Sequence, residues 1–302
     1  MREAPIRQAI LAPRALRSFG VRTVTALLLG VVLVGADLWP DLLTKGDGLL
    51  WGGVIAALAA VCASEFYAMM RTGHRKPNEV FGVIAAAAMP LAAGIYAARA
   101  IPGGATSAAD LGSVGLTAVM GGLILAALTW HILFRQVSAS DTAVTVFGVV
   151  YIGFTLAHLV LMRALDSGSE LVIITLAGVW AMDVFAYLIG SAVGTHRLAP
   201  HISPKKSWEG FIAGAVGTMA AWGIGWLVAG SPLPLWVFLL TGAVAAAAAL
   251  FGDLAESRIK REFGIKDSGR LLPGHGGFLD RFDSMIVVSI VVYYVLLFAG
   301  AR

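Results

Sequence analysis

The densest run of chemically able residues is Gly252-Asp253-Leu-Ala-Glu256-Ser257-Arg258-Ile-Lys260-Arg261. It continues through Lys266-Asp267 and Pro273-Gly-His275-Gly-Gly to Asp280-Arg281-Phe-Asp283. Asp253, Ser257 and Lys260 recur at helical spacing, so they share one helix face. Gly269, Gly274, Gly276 and Gly277 let the intervening segment approach a ligand closely. Asp280 and Asp283 stand one turn apart where the last apolar stretch begins. Carboxylates interspersed with Lys and Arg suit a metal–polyphosphate site, in which carboxylates hold Mg²⁺ and cations neutralise phosphate oxygens. A merely solvated mixed-charge loop has no use for the glycines or for the single His275.

A second polar segment reads His201-Ile-Ser203-Pro-Lys205-Lys206-Ser207-Trp208-Glu209-Gly210. Two adjacent lysines between hydroxyl residues, just before a helix start, are suited to phosphate, since cationic donors and helix N-terminal amides favour anions. Further upstream, Asp183, Gly190 and Gly194 fall on one stripe of a helix with Tyr187 beside them. The glycines alone would be a packing motif; the aspartate on the same stripe turns it towards function. Glu65, in Ala63-Ser64-Glu65-Phe66, is a third carboxylate inside an apolar stretch, with Arg71 or Arg75 as its expected structural partner.

These residues sit in a chain built for lipid. Of its 302 residues 58% are hydrophobic and only 13% charged, with a mean hydropathy of +0.83. Soluble domains carry roughly 25% charged residues. The composition excludes a soluble enzyme, a disordered chain and a nucleic-acid-binding module. The formal charge of +4 then reflects basic loops facing anionic headgroups, not a nucleic-acid partner. The single Cys62 lies in an apolar run and offers neither a disulfide nor a thiolate metal cluster.

The expected architecture is all-α and polytopic, because a bilayer crossing takes about 20 apolar residues in helical form. Nine candidate spans run roughly over 23–39, 49–70, 79–98, 112–134, 143–165, 171–194, 210–229, 235–254 and 282–299. With the N-terminus cytoplasmic, all but four of the 22 Lys and Arg fall on the cytoplasmic side, as the positive-inside rule requires. The basic start before Val24–Ala36 has the look of a signal sequence, with a weak cleavage site at Val34-Gly35-Ala36. The many spans that follow favour an uncleaved first helix. Residues 1–140, rich in Ala, Gly and Val, form a scaffold of membrane helices. Residues 141–302 form the catalytic region, with polar cytoplasmic segments at 195–209 and 255–281.

The run from Ser257 to Asp283 resembles the signature of the phosphatidate cytidylyltransferases, also called CDP-diacylglycerol synthases. The Asp183–Gly194 stripe and the Ile202–Gly210 segment are similar to other parts of that family, whereas residues 1–140 match only as hydrophobic spans. The resemblance implies an integral membrane enzyme that joins CTP and phosphatidate to give CDP-diacylglycerol and pyrophosphate, with Mg²⁺ and room for a second, monovalent or divalent, cation. It implies Asp253, Asp280 and Asp183 as metal ligands, and Asp253, Asp280, Asp283, Lys206, Lys260 and His275 as catalytic residues. Ser203, Lys205, Lys206, Ser207, Ser257, Lys260, Arg261, Lys266, Asp267 and Arg281 would bind substrate.

The anionic phosphate of phosphatidate needs no serine or cysteine nucleophile; the problem is repulsion, which metal and lysines remove. The active site is expected at the cytoplasmic surface of a bacterial inner membrane, among membrane lipids, in a chain whose small-residue helices are compatible with a homodimer. The rival readings are another CTP-using lipid enzyme, such as a polyprenol kinase or a cytidylyltransferase for a non-diacyl lipid, and an ion-coupled transporter. A CDP-alcohol phosphatidyltransferase is set aside, since Asp47-Gly48 is followed by Leu-Leu-Trp instead of that family's Asp-Gly-x-x-Ala-Arg pattern.

Overall fold

Apolar runs of this length leave the backbone no hydrogen-bonding partner but itself, and they fold accordingly. The computed structural model describes residues 30–38, 48–99, 108–231, 233–269 and 276–301. Among them, eight helices are long and apolar enough to cross a bilayer, so the chain is an all-α, polytopic integral membrane protein. The first expected span, 23–39, lies partly outside the described residues; within it 30–38 are described and helical. The N-terminal arginines and the first part of the signal-like run, 24–29, lie outside them too.

The helices follow in the order α1 (Gly48–Thr72), α2 (Glu79–Ala97), α3 (Ala108–Leu133), α4 (Ala139–Gly148), a π turn (Val149–Phe154), α5 (Thr155–Arg163) and α6 (Gly168–Val193). After them come two short strands, β1 (Arg197–Ala199) and β2 (Ser203–Ser207), then α7 (Trp208–Ala229), α8 (Leu235–Glu262) and α9 (Leu279–Phe298). The strands pair antiparallel, Arg197 opposite Ser207. They are the one departure from an all-α fold among the described residues, in a segment read from sequence as a polar loop.

One span differs in form from the sequence expectation. The span expected at 143–165 starts at Ala139, where Ser138 caps the helix by accepting from Asp141 N–H, and it widens into the π turn at mid-course. Thr155 Oγ1 answers the widened backbone by donating to Tyr151 O at 2.5 Å, and Ser289 Oγ donates to Thr155 O at 2.8 Å. The helix of the span expected to stop at 254 continues to Glu262, as the shared face of Asp253, Ser257 and Lys260 requires. Asp253, Glu256, Ser257 and Lys260 therefore stand on one continuous helix.

The core lies where α1, α2, α5 and α9 meet, around Trp51, Phe66, Tyr67, Met89, Leu156 and Ile286. Consecutive helices alternate in direction, which brings the ends at residues 72, 79, 133, 193, 208, 262 and 279 to one face. Cross-links confirm this gathering: Arg75 donates to Ser140 Oγ at 3.1 Å and Lys76 N–H to Asp141 Oδ1 at 2.8 Å. All described Lys and Arg except Arg99 and Arg163 lie at or near that face. On the far side Arg163 forms a buried ion pair with Asp37, Nε to Oδ1 at 3.0 Å.

Candidate active site

The polar face is assembled from α6, the hairpin, the start of α7 and the end of α8. Helices α6 and α7 can cross closely because both present glycine: a Cβ on Gly210 would stand 2.8 Å from Ala186 O and 3.1 Å from Gly190 Cα. Ser207 caps α7, its Oγ accepting from Gly210 N–H at 3.2 Å. Glu209, in the first turn, accepts from Thr195 Oγ1 at 2.9 Å and pairs with His196 Nδ1 at 2.6 Å, which ties the hairpin to the helix. The glycine stripe is thus a packing device after all, and it does a second job, because the crossing forms one wall of a cavity.

That cavity, of about 480 Å³, is lined by Asp183, Tyr187 and Gly190 of α6, by Arg197, Lys205 and Lys206 of the hairpin, and by Asp253 of α8. Ser207 and, from α9, Ser284 also line it, beside apolar residues such as Met182, Phe211 and Leu250. Three cations face two carboxylates across it. Lys206 Nζ lies 2.5 Å from Asp253 Oδ2, and Ser257 Oγ donates to Asp253 Oδ1 at 3.2 Å. The i, i+4 spacing of Asp253 and Ser257 therefore orients the carboxylate. Arg197 is a cavity residue that spacing did not single out; its signal in the sequence was membership of the same polar segment, 195–209.

The glycine-rich run forms a second cluster beside the first. Lys260 Nζ bridges two carboxylates, Glu256 Oε2 at 2.7 Å and Asp280 Oδ1 at 2.6 Å. Asp280 Oδ2 accepts the backbone N–H groups of Ser268 and Gly277, each at 2.9 Å. Gly276 has φ of +81°, and a Cβ there would stand 2.7 Å from Asp280 Oδ2, so the turn that brings these amides to Asp280 requires glycine. Asp283 lies between the clusters, within electrostatic reach of Asp253, Glu256 and Asp183. It can approach because Gly252 lets α8 meet the α9 backbone, where a Cβ would stand 2.5 Å from Asp283 O.

The remaining expected residues distribute around these clusters. Arg281 is exposed and within electrostatic reach of Asp183. Lys266 and Asp267 are exposed on the loop, and Ser203 is half-buried at the start of β2. Arg261 closes the end of α8 by donating to Ile265 O at 3.2 Å. His275 lies outside the described residues. Among the described residues no three His, Cys, Asp or Glu side chains gather into a ready-made metal centre.

Glu65 departs from its expected partner. Arg71 pairs with Glu79 and Arg75 binds Ser140, whereas Glu65 reaches the C-terminal half. Its Oε2 accepts from Leu279 N–H at 2.9 Å and from Ser268 Oγ at 3.2 Å. The reason is depth, since Glu65 sits more than a turn inside the end of α1, level with the start of α9.

A helical membrane protein that collects its cations and carboxylates around a cavity at one face has the groups suited to a polyanion. That class narrows on comparison with known proteins. The chain belongs to the cytidylyltransferase family, whose model matches residues 20–299. It is 31% identical to a phosphatidate cytidylyltransferase of Mycobacterium bovis, over 97% of this chain and 95% of that protein. Proteins of the same name from Bacillus subtilis and Brucella abortus are 36% and 42% identical over 57% and 48% of this chain, covering 65% and 54% of their own lengths.

Proposed function

We propose that this chain is a phosphatidate cytidylyltransferase, joining CTP and phosphatidate into CDP-diacylglycerol with release of pyrophosphate. The observation that carries the reading is the cavity in which Arg197, Lys205 and Lys206 face Asp183 and Asp253, in a chain matching the family along nearly its whole length.

A phosphate oxygen of phosphatidate attacks the α-phosphorus of CTP. The new P–O bond forms as the bond from the α-phosphorus to the bridging oxygen breaks, and that oxygen leaves with pyrophosphate. Both reactants are anions, so the chief work is neutralisation and alignment. Lys205, Lys206 and Arg197 would take phosphate oxygens, Arg197 offering a planar fork and the lysines point charges. Tyr187 and the small residues of the α6–α7 crossing would bound the space beside them.

The donor set fits a divalent ion. Mg²⁺ is usually held by one or two carboxylates together with substrate phosphates, and Asp183 and Asp253 supply two oxygen-bearing side chains on one cavity. They would hold it, and it would offset charge on the phosphates. Asp280 would join them only on release of Lys260 and the two amides that engage it. A second, monovalent or divalent, cation is part of the same proposal, with Asp283 the nearest further carboxylate.

The excess of basic residues supports a cytoplasmic polar face by the positive-inside rule, and the bacterial relatives support a bacterial inner membrane. There CTP arrives from water and phosphatidate from the leaflet. Small-residue helices are compatible with a homodimer.

The test uses purified protein in detergent with phosphatidate, CTP and Mg²⁺, following lipid-linked CDP and released pyrophosphate. Formation of CDP-diacylglycerol that is abolished by EDTA and by Asp253→Asn supports the reading. A folded preparation that consumes CTP only with another lipid acceptor would replace it with a polyprenol kinase or a related cytidylyltransferase.

A further inference from the structure

Glu65 belongs to α1, in the half of the chain that composition alone reads as scaffold, and it is 5% exposed. Its Oε2 holds the first N–H of α9 and the Ser268 hydroxyl. Two glycines of the signature are fitted to it: a Cβ on Gly277 would collide with Oε2, and one on Gly269 with Oε1. Asp280 grips the same loop from the other side, taking the Ser268 and Gly277 amides. The two carboxylates therefore divide Ser268 between them, one holding its hydroxyl and the other its backbone.

Packing alone does not account for a carboxylate here. A buried carboxylate is costly unless its oxygens are matched, and Glu65 Oε1 is buried with no hydrogen-bond partner among the described residues. The neighbouring arginines of α1 and its following turn are engaged elsewhere. An apolar side chain would fill the space at lower cost; a carboxylate is explained by what it holds.

We propose that Glu65 is a positioning residue for cytidylyl transfer. By fixing Leu279 N–H and the Ser268 hydroxyl, it sets where the 266–269 segment and Asp280 stand, and through Asp280 where Lys260 stands. The proposal rests on the activity assigned above. It makes the first half of the chain a contributor to the site, since α1 holds the loop from behind while α8 and α9 present the charged groups.

The experiment compares wild type with Glu65→Ala, Glu65→Gln and Ser268→Ala. It measures kcat, KM for CTP and for phosphatidate, Tm, and amide hydrogen exchange across 264–269 and 276–282. Misplacement of a positioned group by about 1 Å can cost about 10²-fold, so Glu65→Ala is expected to lower kcat by about that factor. Both KM values should stay within about threefold, the pattern of a lost transition-state arrangement. Exchange at Ser268, Gly277 and Leu279 should quicken. Glu65→Gln, which keeps an acceptor for Leu279 N–H, should recover at least about tenfold of the lost kcat.

A folded Glu65→Ala enzyme with wild-type kcat overturns the proposal. So does a loss of activity that only tracks the folded fraction, or a change confined to KM. Where Glu65→Ala does not fold, Ser268→Ala and Glu65→Gln decide, and wild-type kcat and exchange in both overturn it. If wild type itself forms no CDP-diacylglycerol, the assigned activity fails and with it the positioning of that reaction. The exchange measurement then still reports separately whether Glu65 holds the loop.

Discussion

Lys206 Nζ and Asp253 Oδ2 lie 2.5 Å apart, fastening the β-hairpin to α8 in the lining of the cavity. The pair joins one of the chain's phosphate-binding candidates to one of its metal-binding candidates. On the proposed function each partner would have a second use once substrate arrives, the ammonium for a phosphate oxygen and the carboxylate for a cation. The side chains are 24% and 31% exposed, which separates their expected effects on function from those on stability.

Lys206→Met should lower kcat/KM for CTP by about 10- to 100-fold, the worth of one hydrogen bond to a charged group. Thermal stability should hardly move, because partly exposed ion pairs contribute about 0–1 kcal/mol. Steady-state kinetics and a melting curve on the same preparation check both. An unchanged KM and kcat would remove Lys206 from the site.

Arg197→Ala should raise KM for CTP by about tenfold and leave kcat within about threefold, if its guanidinium binds substrate and transition state alike. Arg197→Lys should recover only part of this, since a point charge does not replace a bidentate fork. A KM effect on phosphatidate instead would assign Arg197 to the lipid phosphate.

Lys260→Met should be the most destabilising of the charge substitutions. It would leave Glu256 and Asp280, 0% and 5% exposed, without the cation between them, and breaking a buried pair costs about 3–5 kcal/mol. The Tm should fall markedly, and a companion Glu256→Gln change should return part of the loss by removing one of the stranded charges. A Lys260→Met protein as stable as wild type would contradict the buried bridge.

Gly210→Val should separate α6 from α7. Its side chain would meet Ala186 O and Gly190 Cα, where even a Cβ would stand at 2.8 and 3.1 Å. Overpacking costs typically about 1–3 kcal/mol, and the altered crossing should lower activity beyond the loss of folded protein. Gly223→Ala, whose Cβ would meet only Leu239 Cδ2 at 3.4 Å, is the control expected to change neither.

Much of this was legible because lipid makes sequence unusually explicit. Runs of about twenty apolar residues have only one way to satisfy their backbone, so the spans were placed to within a turn or so at most ends. The α8 helix outlasts its apolar span: hydropathy falls at Asp253 while the helix continues to Glu262, as the spacing of Asp253, Ser257 and Lys260 predicts, its charged face turned towards the hairpin and α9. The hairpin was missed because a two-stranded ribbon of this length has no apolar periodicity to announce it; the Glu209 contacts to Thr195 and His196 hold it in place.

Residue type and spacing determined by themselves that this is a polytopic membrane protein, and they singled out the stretch from Asp183 to Asp283 as the one whose residue types suit phosphate and metal. Only the tertiary structure decided which of them meet. It put Asp253 with Lys206 and Ser257, gave Asp280 to Lys260 and the loop amides, brought Arg197 into the cavity and sent Glu65 to the start of α9. Helical spacing predicts neighbours on one helix face, because i and i+4 are fixed by local geometry. Contacts between helices depend on how closely two backbones pack and at what depth each side chain sits, and those follow from glycine crossings such as Gly190 with Gly210, which spacing along one helix does not fix.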